Sequence, residues 1–329
     1  MAEPLVTVGV TAFNAQDTIE AAIRSALAQD WRCLEVLVVD DASTDATPQK
    51  VTSLQAEDPR IQLISHTVNK GVAESRNSIL RHAQGDFVAF FDDDDESAPQ
   101  RLAAQVERII TYERLFPEGA PVICHTARRQ LFPDGSSRIE TTMGTGLHVR
   151  APSGPAVAAR ILQGKPLRNG YGSLATCSQM ARLSTYRAVG GFDPTLRRSE
   201  DTDLAVRLAL NGAHFLGIAE PLVTQTMHVT DEKSLGAERQ SAAALLRKHQ
   251  GAFTSKQDYA FAQEWLTLKF LWLAGDRRLF WKMLLRLAGA FPLSTVRRMA
   301  YALPMAASRA SVRRLHDQVQ KATAAGRSA

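Results

Sequence analysis

Over the first 95 residues, short apolar runs alternate with stretches of helical period, and this alternation restricts the fold more than any other feature. Leu5 to Val10 reads as a buried strand. Leu34 to Val39 (Leu-Glu-Val-Leu-Val-Val) is the nearly unbroken apolar run of a strand covered on both faces. Ile61 to Ile64 and Phe87 to Phe91 supply two more strands. Between them lie three helical segments. The first runs to about Gln29 with Asp17 as its cap, the second starts at Thr47 with Asp45 as cap and Pro48 in the first turn, and the third spans Gly71 to Ala83. The order β-α-β-α-β-α-β with short loops predicts a parallel sheet with helices on its faces. Ligands of such open sheets bind beyond the carboxyl ends of the strands. The polar clusters fall there: Thr11 and Asn14 after the first strand, Asp40 and Asp41 after the second, Asp92 to Asp95 after the fourth.

The pattern loosens from residue 96. Pro99 to Tyr112 reads as helix, Val122 to Cys124 as strand and Gly135 to Pro155 as loop. Ala156 to Leu162 reads as a short helix and Asp201 to Asn211 as a longer one, followed by closing strands His214 to Ile218 and Leu222 to His228. Beyond residue 230 the period is helical. The expected division is a catalytic region 1–230, with halves 1–95 and 96–230, and a helical region 231–329. Charge follows the same line. Residues 1–230 carry 22 Lys and Arg against 27 Asp and Glu, whereas 231–329 carry 17 against 7. Cys33, Cys124 and Cys177 are widely spaced and form no metal-finger pattern, so they read as free thiols of a reducing compartment. The opening residues lack the basic and apolar regions of a signal peptide, and no apolar run is long enough to span a bilayer.

Four motifs carry chemistry. Asp92-Asp93-Asp94-Asp95 places four mutually repelling carboxylates at a strand end, a cost that falls if a divalent cation sits among them. Mg²⁺ or Mn²⁺ prefers such hard oxygens and keeps positions for phosphate. A solvated acidic turn is the plainer reading of an acidic run; the position after a buried strand favours the cation. Asp45, Ser43 and Thr44 are ordinary strand-to-helix punctuation, but Asp40 and Asp41 exceed that need, and a carboxylate there suits the imide N–H of a uracil-like base. Arg76, in Asn69 to Asn77, lies far enough into the third helix to approach this cleft and support a metal site or a phosphate; a surface ion pair is the alternative. Glu200 and Asp201 follow Gly190-Gly191-Phe192-Asp193-Pro194. They read either as helix-dipole caps or as the general base for an acceptor hydroxyl. His228 is a further candidate metal ligand.

Taken together, Val6 to Asn14, Val39 to Asp45, Gly71 to Asn77, Asp92 to Asp95 with Pro99, and Gly190 to Leu204 resemble the family-2 glycosyltransferases over about residues 4–230. The resemblance implies an α/β GT-A fold with a mostly parallel central sheet, flanking helices and, here, a C-terminal helical region. It implies an inverting transfer of a sugar from a nucleoside diphosphate donor, a UDP-sugar favoured, to an acceptor hydroxyl in cell-surface polysaccharide or glycolipid assembly. Asp41 would bind the base, with Thr11, Phe13 and Asn14 around the nucleotide. Asp92 and Asp94 would serve the metal and diphosphate, with Asp93 and Asp95 near sugar or ribose. Arg76 would support the donor, Asp201 would be the base with Glu200 beside it, and His228 would join the Mn²⁺ or Mg²⁺. One departure matters: the residue between the metal aspartates is itself Asp93, which leaves open which carboxylates ligate.

Within 276–291, Arg278, Lys282 and Arg286 share one helical face, and Phe280, Met283, Leu284, Leu287 and Phe291 share another. The segment reads either as an interfacial membrane helix or as a helix packed on the catalytic domain with a solvated basic face. The first reading extends membrane contact over 276–314 and places the chain in the cytoplasm at the inner face of the membrane. A nucleotide-sugar donor and a saccharide or lipid-linked acceptor are the expected partners, and nucleic acid is not. The rival classes are a nucleotidyltransferase, disfavoured by the glycine-free Thr11-Ala12-Phe13-Asn14-Ala15, and a nucleotide-sugar-binding module without chemistry.

Overall fold

The computed structural model describes residues 3–227 and 235–308. The N-terminal alternation appears as β1 (Val6–Ala12), α1 (Ile19–Leu27), β2 (Leu34–Asp40), α2 (Thr47–Glu57), β3 (Ile61–Ser65), α3 (Val72–His82) and β4 (Phe87–Asp92). Continuing along the chain come β5 (Asp95–Ser97), α4 (Arg101–Leu115), β6 (Val122–Leu131), β7 (Ser137–Glu140), α5 (Gly154–Gln163), β8 (Gln179–Arg182), α6 (Leu183–Arg187), α7 (Glu200–Leu210) and β9 (His214–Thr226). Helices α8 (Leu235–Lys248), α9 (Lys256–Leu273), α10 (Arg277–Ala290) and α11 (Pro292–Ser308) complete it.

Among the described residues the strands form one sheet in the order β3-β2-β1-β4-β8-β6-β9-β5, with β7 paired to β6. Strands β3, β2, β1 and β4 run parallel, and their shared register brings the tips level: Ala12 lies beside Asp40, and Thr11 beside Asp92. Beyond β4, β8 joins antiparallel and β6 and β9 pair in parallel, with bulges around Thr126 to Arg128. Val6, Val8, Val10, Val36, Val38, Phe87, Ala89 and Phe91 pack on Ile19, Ile23, Val51, Leu102, Val106 and Ile109. On the opposite face Gly9 lets α3 come close, since a Cβ there would meet Ile79 at 2.5 Å.

Several elements differ from the reading of the sequence. Asp17 does not cap α1, whose cap position is Thr18 without a side-chain cap bond. Asp45 does accept the Thr47 N–H at 3.0 Å, from one residue before the cap. The expected two closing strands are one, β9, and the 135–155 loop contains β7, which hydrogen-bonds back along β6. Strands β5 and β8 are too short to show a period.

The chain divides into two compact units. One takes residues up to Leu131, Ser136–Ala158 and Leu167–Thr226; the other takes Phe132–Gly135, Ala159–Pro166 and the described residues from Met227 on. The first unit holds the sheet. In the second, Leu268 of α9 packs with Phe280, Leu284 and Leu287 of α10, joined by Phe261, Trp265, Met283, Phe291 and Met299. The apolar stripe of α10 is therefore spent on packing against α9 within this unit. No described helix is long and apolar enough to cross a membrane.

Candidate functional site

The strand tips of the first unit gather the acids. Phe13 donates its N–H to Asp93 Oδ2 at 3.2 Å, which ties the loop after β1 to the acidic run after β4. Asn14, at φ +50°, donates its N–H to Ser43 at 2.9 Å and accepts from the Thr44 N–H at 2.9 Å, tying the same loop to the turn after β2. Phe13 is 48% exposed, a ring open to a ligand at the rim. Ala42 and Ser199 also take left-handed φ values (63° each) beside Asp41 and Glu200, a backbone cost that clusters at sites.

Asp40 and Asp41 are both buried but differently engaged. Asp41 accepts from the Lys70 N–H at 2.9 Å, the Gly71 N–H at 2.7 Å and lies 2.7 Å from His66 Nδ1. It thus pins the loop that enters α3 at Gly71, whose φ of 87° needs glycine. Asp40 accepts from the Ser43 N–H at 3.3 Å through Oδ2, while its buried Oδ1 has no hydrogen-bond partner.

Arg76 is buried and bridges two halves of the site. Its guanidinium donates to Glu200 Oε1 at 2.6 Å and to Asp92 Oδ1 at 3.2 Å, and it lies 5.4 Å from the Phe192 ring centroid. Burial alone would lower its pKa; the charges of Asp92 and Glu200 outweigh that and raise it. Asn77, the next residue, donates to the Phe192 carbonyl and accepts the Phe192 N–H, both at 2.8 Å. Helix α3 therefore holds the Gly190–Phe192 turn that delivers Glu200 and Asp201 at the start of α7. A Cβ on Gly191 would meet Asn77 Oδ1 at 2.5 Å, which accounts for the glycine. Burial raises the Glu200 pKa against the pull of Arg76, with the Asp201 charge adding to the rise. Asp201 is half-buried and accepts from the Thr202 hydroxyl at 3.0 Å.

In the acidic run, Asp92 and Asp95 converge with Cys177, their ligand atoms lying within 4.8 Å of one another. Both oxygens of Asp95 are buried without hydrogen-bond partners. Asp95 is pushed up to about 8 by burial and the charges of Asp92 and Asp94, eased by the nearby Cys177 thiol and by Arg128. Asp93 is pushed up to about 7, by burial and then Asp94. The unpartnered buried oxygens of Asp95 beside the Asp92 carboxylate, with their excess negative charge, fit a hard divalent cation such as Mg²⁺ or Mn²⁺. The thiol of Cys177, which burial pushes well above its ordinary range, suits that ion poorly. Asp94 is half-buried on the same turn. His228 lies outside the described residues.

A carboxyl whose folded pKa lies above its unfolded value binds its proton more tightly when folded. That stability is complete below about pH 4. It is lost as pH rises through the folded values of about 7 and 8 of Asp93 and Asp95. Urea unfolding in a chelator should therefore show a less stable protein at pH 8 than at pH 6. A divalent ion should reverse the trend, because it displaces those protons: its affinity should rise by up to about tenfold per pH unit for each proton released. Thermal midpoints with Mn²⁺ at the two pH values test this; an equal gain at both would count against metal binding at this cluster.

Three residues near the acidic run carry no local signal. Cys177 sits in a run of small residues, and Arg101 and Arg128 are buried behind Asp95. Arg101 donates to the Phe90 carbonyl (2.9 Å) and Ser97 (2.8 Å), and Arg128 to Gln225 (2.7 Å) and Ser173 (2.8 Å). Burial lowers Arg101 to about 10, which leaves it a cation at neutral pH.

The family model described as Glycosyl transferase family 2 matches residues 7–137. The chain is 31% identical over 222 residues to EpsE of Bacillus subtilis, named as a glycosyltransferase, covering 67% of this chain and 72% of that one. It is 39% identical over 110 residues to WfgD of Escherichia coli, a UDP-Glc:alpha-D-GlcNAc-diphosphoundecaprenol beta-1,3-glucosyltransferase, covering 33% and 43%. The match spans only 30–43% of the length of several such relatives. Among solved structures, S. aureus TarS 1-349 in complex with UDP-GlcNAc superposes with a TM-score of 0.58 at 16% identity over 98% of this chain and 92% of that one, a likeness of fold.

Proposed function

The chain belongs to the family 2 glycosyltransferases, and from that premise we propose that it transfers a sugar, with inversion, from a UDP-sugar to a hydroxyl of a lipid-linked saccharide. The observation that carries the reading is Arg76, one buried cation bonded both to Asp92 of the acidic run and to Glu200, the neighbour of Asp201. Donor-side acids and the candidate base thereby belong to one cleft.

Each residue then has a task. Phe13, with Thr11 and Asn14, walls the nucleotide. Asp41 and Asp40 are the acceptors available to a base N–H, and the unpartnered Oδ1 of Asp40 adds to the capacity of the pair. Asp92 and Asp95, with Asp94 on the same turn, hold Mg²⁺ or Mn²⁺, and Asp93 lies near the ribose or sugar. The bound ion supplies neutralisation of charge on the diphosphate. Asp201 takes the proton of the acceptor hydroxyl as that oxygen attacks the anomeric carbon from the face opposite the diphosphate. Glu200 is committed to Arg76 and positions Asp201. The lipid-linked acceptor is suggested by WfgD, whose acceptor is alpha-D-GlcNAc-diphosphoundecaprenol, and it places the work at the inner face of a membrane.

The test offers a set of UDP-sugars with Mn²⁺ and lipid-linked acceptors, follows UDP release, and reads the anomeric configuration of the product by NMR. Release with inverted configuration is expected. A retained configuration would overturn the mechanism, and tight UDP binding without release from any donor would favour a binding module.

A further inference from the structure

Helices α10 and α11 each leave a second face uncovered. With the Phe280, Leu284 and Leu287 face of α10 packed inward, the exposed face comprises Arg278, Trp281, Lys282 and Leu285. These stand at i, i+3, i+4 and i+7, so they form one continuous patch. Trp281 is 54% and Leu285 74% exposed. Helix α11 repeats the arrangement with Leu293, Val296, Arg297 and Ala300, again at i, i+3, i+4 and i+7 and all exposed. Leu293 and Val296 are 73% and 69% exposed. Large apolar side chains held in water on two successive helices mark a contact surface.

Charge identifies what covers them. Residues 277–308 contain six Arg and Lys and no Asp or Glu. Along α10 the basic side chains flank the apolar ones, and Arg286 pairs with Glu264 at 2.6 Å, leaving Arg278 and Lys282 as the cations of the patch. An apolar pair set among cations, with a Trp among them, matches the headgroup boundary of an anionic bilayer. There the indole sits at the interface, aliphatic side chains enter the acyl boundary and lysine and arginine meet lipid phosphates.

We infer that the outer faces of α10 and α11 dock this protein on an anionic lipid surface through Trp281, Leu285, Leu293 and Val296, with Arg278, Lys282 and Arg297 on the headgroups. The inserted residues are not those of the apolar stripe that dominates the period of α10. The inference goes beyond the transfer reading, and its test uses no sugar donor, so either can fail alone.

The full chain is sedimented with phosphatidylcholine vesicles and with vesicles containing about one third phosphatidylglycerol. Binding to the anionic vesicles alone is expected, with a blue shift of tryptophan emission that Trp281→Phe abolishes. Replacing Arg278 and Lys282 by Gln should weaken binding about fivefold for each residue. Leu285→Ser with Leu293→Ser should weaken it at least about tenfold. Since these side chains are exposed, the thermal midpoint and UDP affinity should stay at their original values, which separates docking from misfolding. Equal binding to neutral vesicles, or undiminished binding by the Leu variants, would overturn the inference. So would a dimer that those variants dissociate, or duplex DNA bound more tightly than the anionic vesicles.

Discussion

Replacing Asp201 by asparagine should lower kcat by a factor of about 10² to 10⁴, the usual contribution of a positioned general base. Asparagine keeps the size of the side chain and its bond to the Thr202 hydroxyl at 3.0 Å, so the start of α7 should be undisturbed. What it loses is the capacity to accept the acceptor's proton. UDP binding, followed by thermal stabilisation, should be unchanged, because no nucleotide contact is assigned to this residue. Turnover within a few-fold of the original protein would remove Asp201 from the chemistry. Glu200→Gln separates the neighbours: it weakens a charge-assisted bond to Arg76 of 2.6 Å and should affect stability as well as rate.

Arg76→Met should destabilise the fold by about 3–5 kcal/mol, the range seen when one partner of a buried ion pair is removed. Methionine fills much of the same volume, but Asp92 and Glu200 then face each other's charge without the guanidinium between them. The pH dependence distinguishes this cause from a packing defect. Glu200 is raised by burial even with Arg76 present, so without that cation its folded pKa rises further. A carboxyl raised on folding contributes stability that is present at low pH and lost as pH climbs through the folded value. The variant should therefore regain part of its deficit as pH falls from 7 towards 5, measured by urea unfolding at each pH. Adding Glu200→Gln should restore part of the loss at neutral pH. A deficit constant across that range would point to packing instead. Lysine at 76 should be a poor substitute, since one ammonium does not reproduce two directed N–H contacts.

The parallel half of the sheet and its acidic tips were legible because each strand and helix there carries its own period and each loop its own turn residues. Asp92 stood out in an acidic run at a strand end, whereas Glu200 and Asp201 read equally as helix caps, and Arg76 brings Asp92 and Glu200 together. The remainder depends on distant partners. Strands β5 and β8 have three and four residues, and pairing with β9, β4 and β6 defines them rather than any local pattern. Cys177 reaches Asp92 and Asp95 from more than eighty positions along the chain, and nothing in its own segment distinguishes it. The engagement of Asp41 with His66, Lys70 and Gly71 was hidden for the same reason: a backbone N–H has no sequence signature. Helix α10 shows the opposite limit. Its amphipathic period was plain, but a period reports that a face is apolar and not whether protein or lipid covers it.

Asn77 makes two distant parts of the first unit interdependent. Its amide uses Nδ2 as donor and Oδ1 as acceptor on the backbone of a single residue, Phe192. Any residue can occupy that backbone position, but few side chains can grip it in this way. In chimaeras between relatives, the turn that introduces the proposed base could be exchanged freely only while the recipient's third helix keeps an amide at this place; the permissible boundaries for recombination are written in one side chain far upstream of the segment being moved.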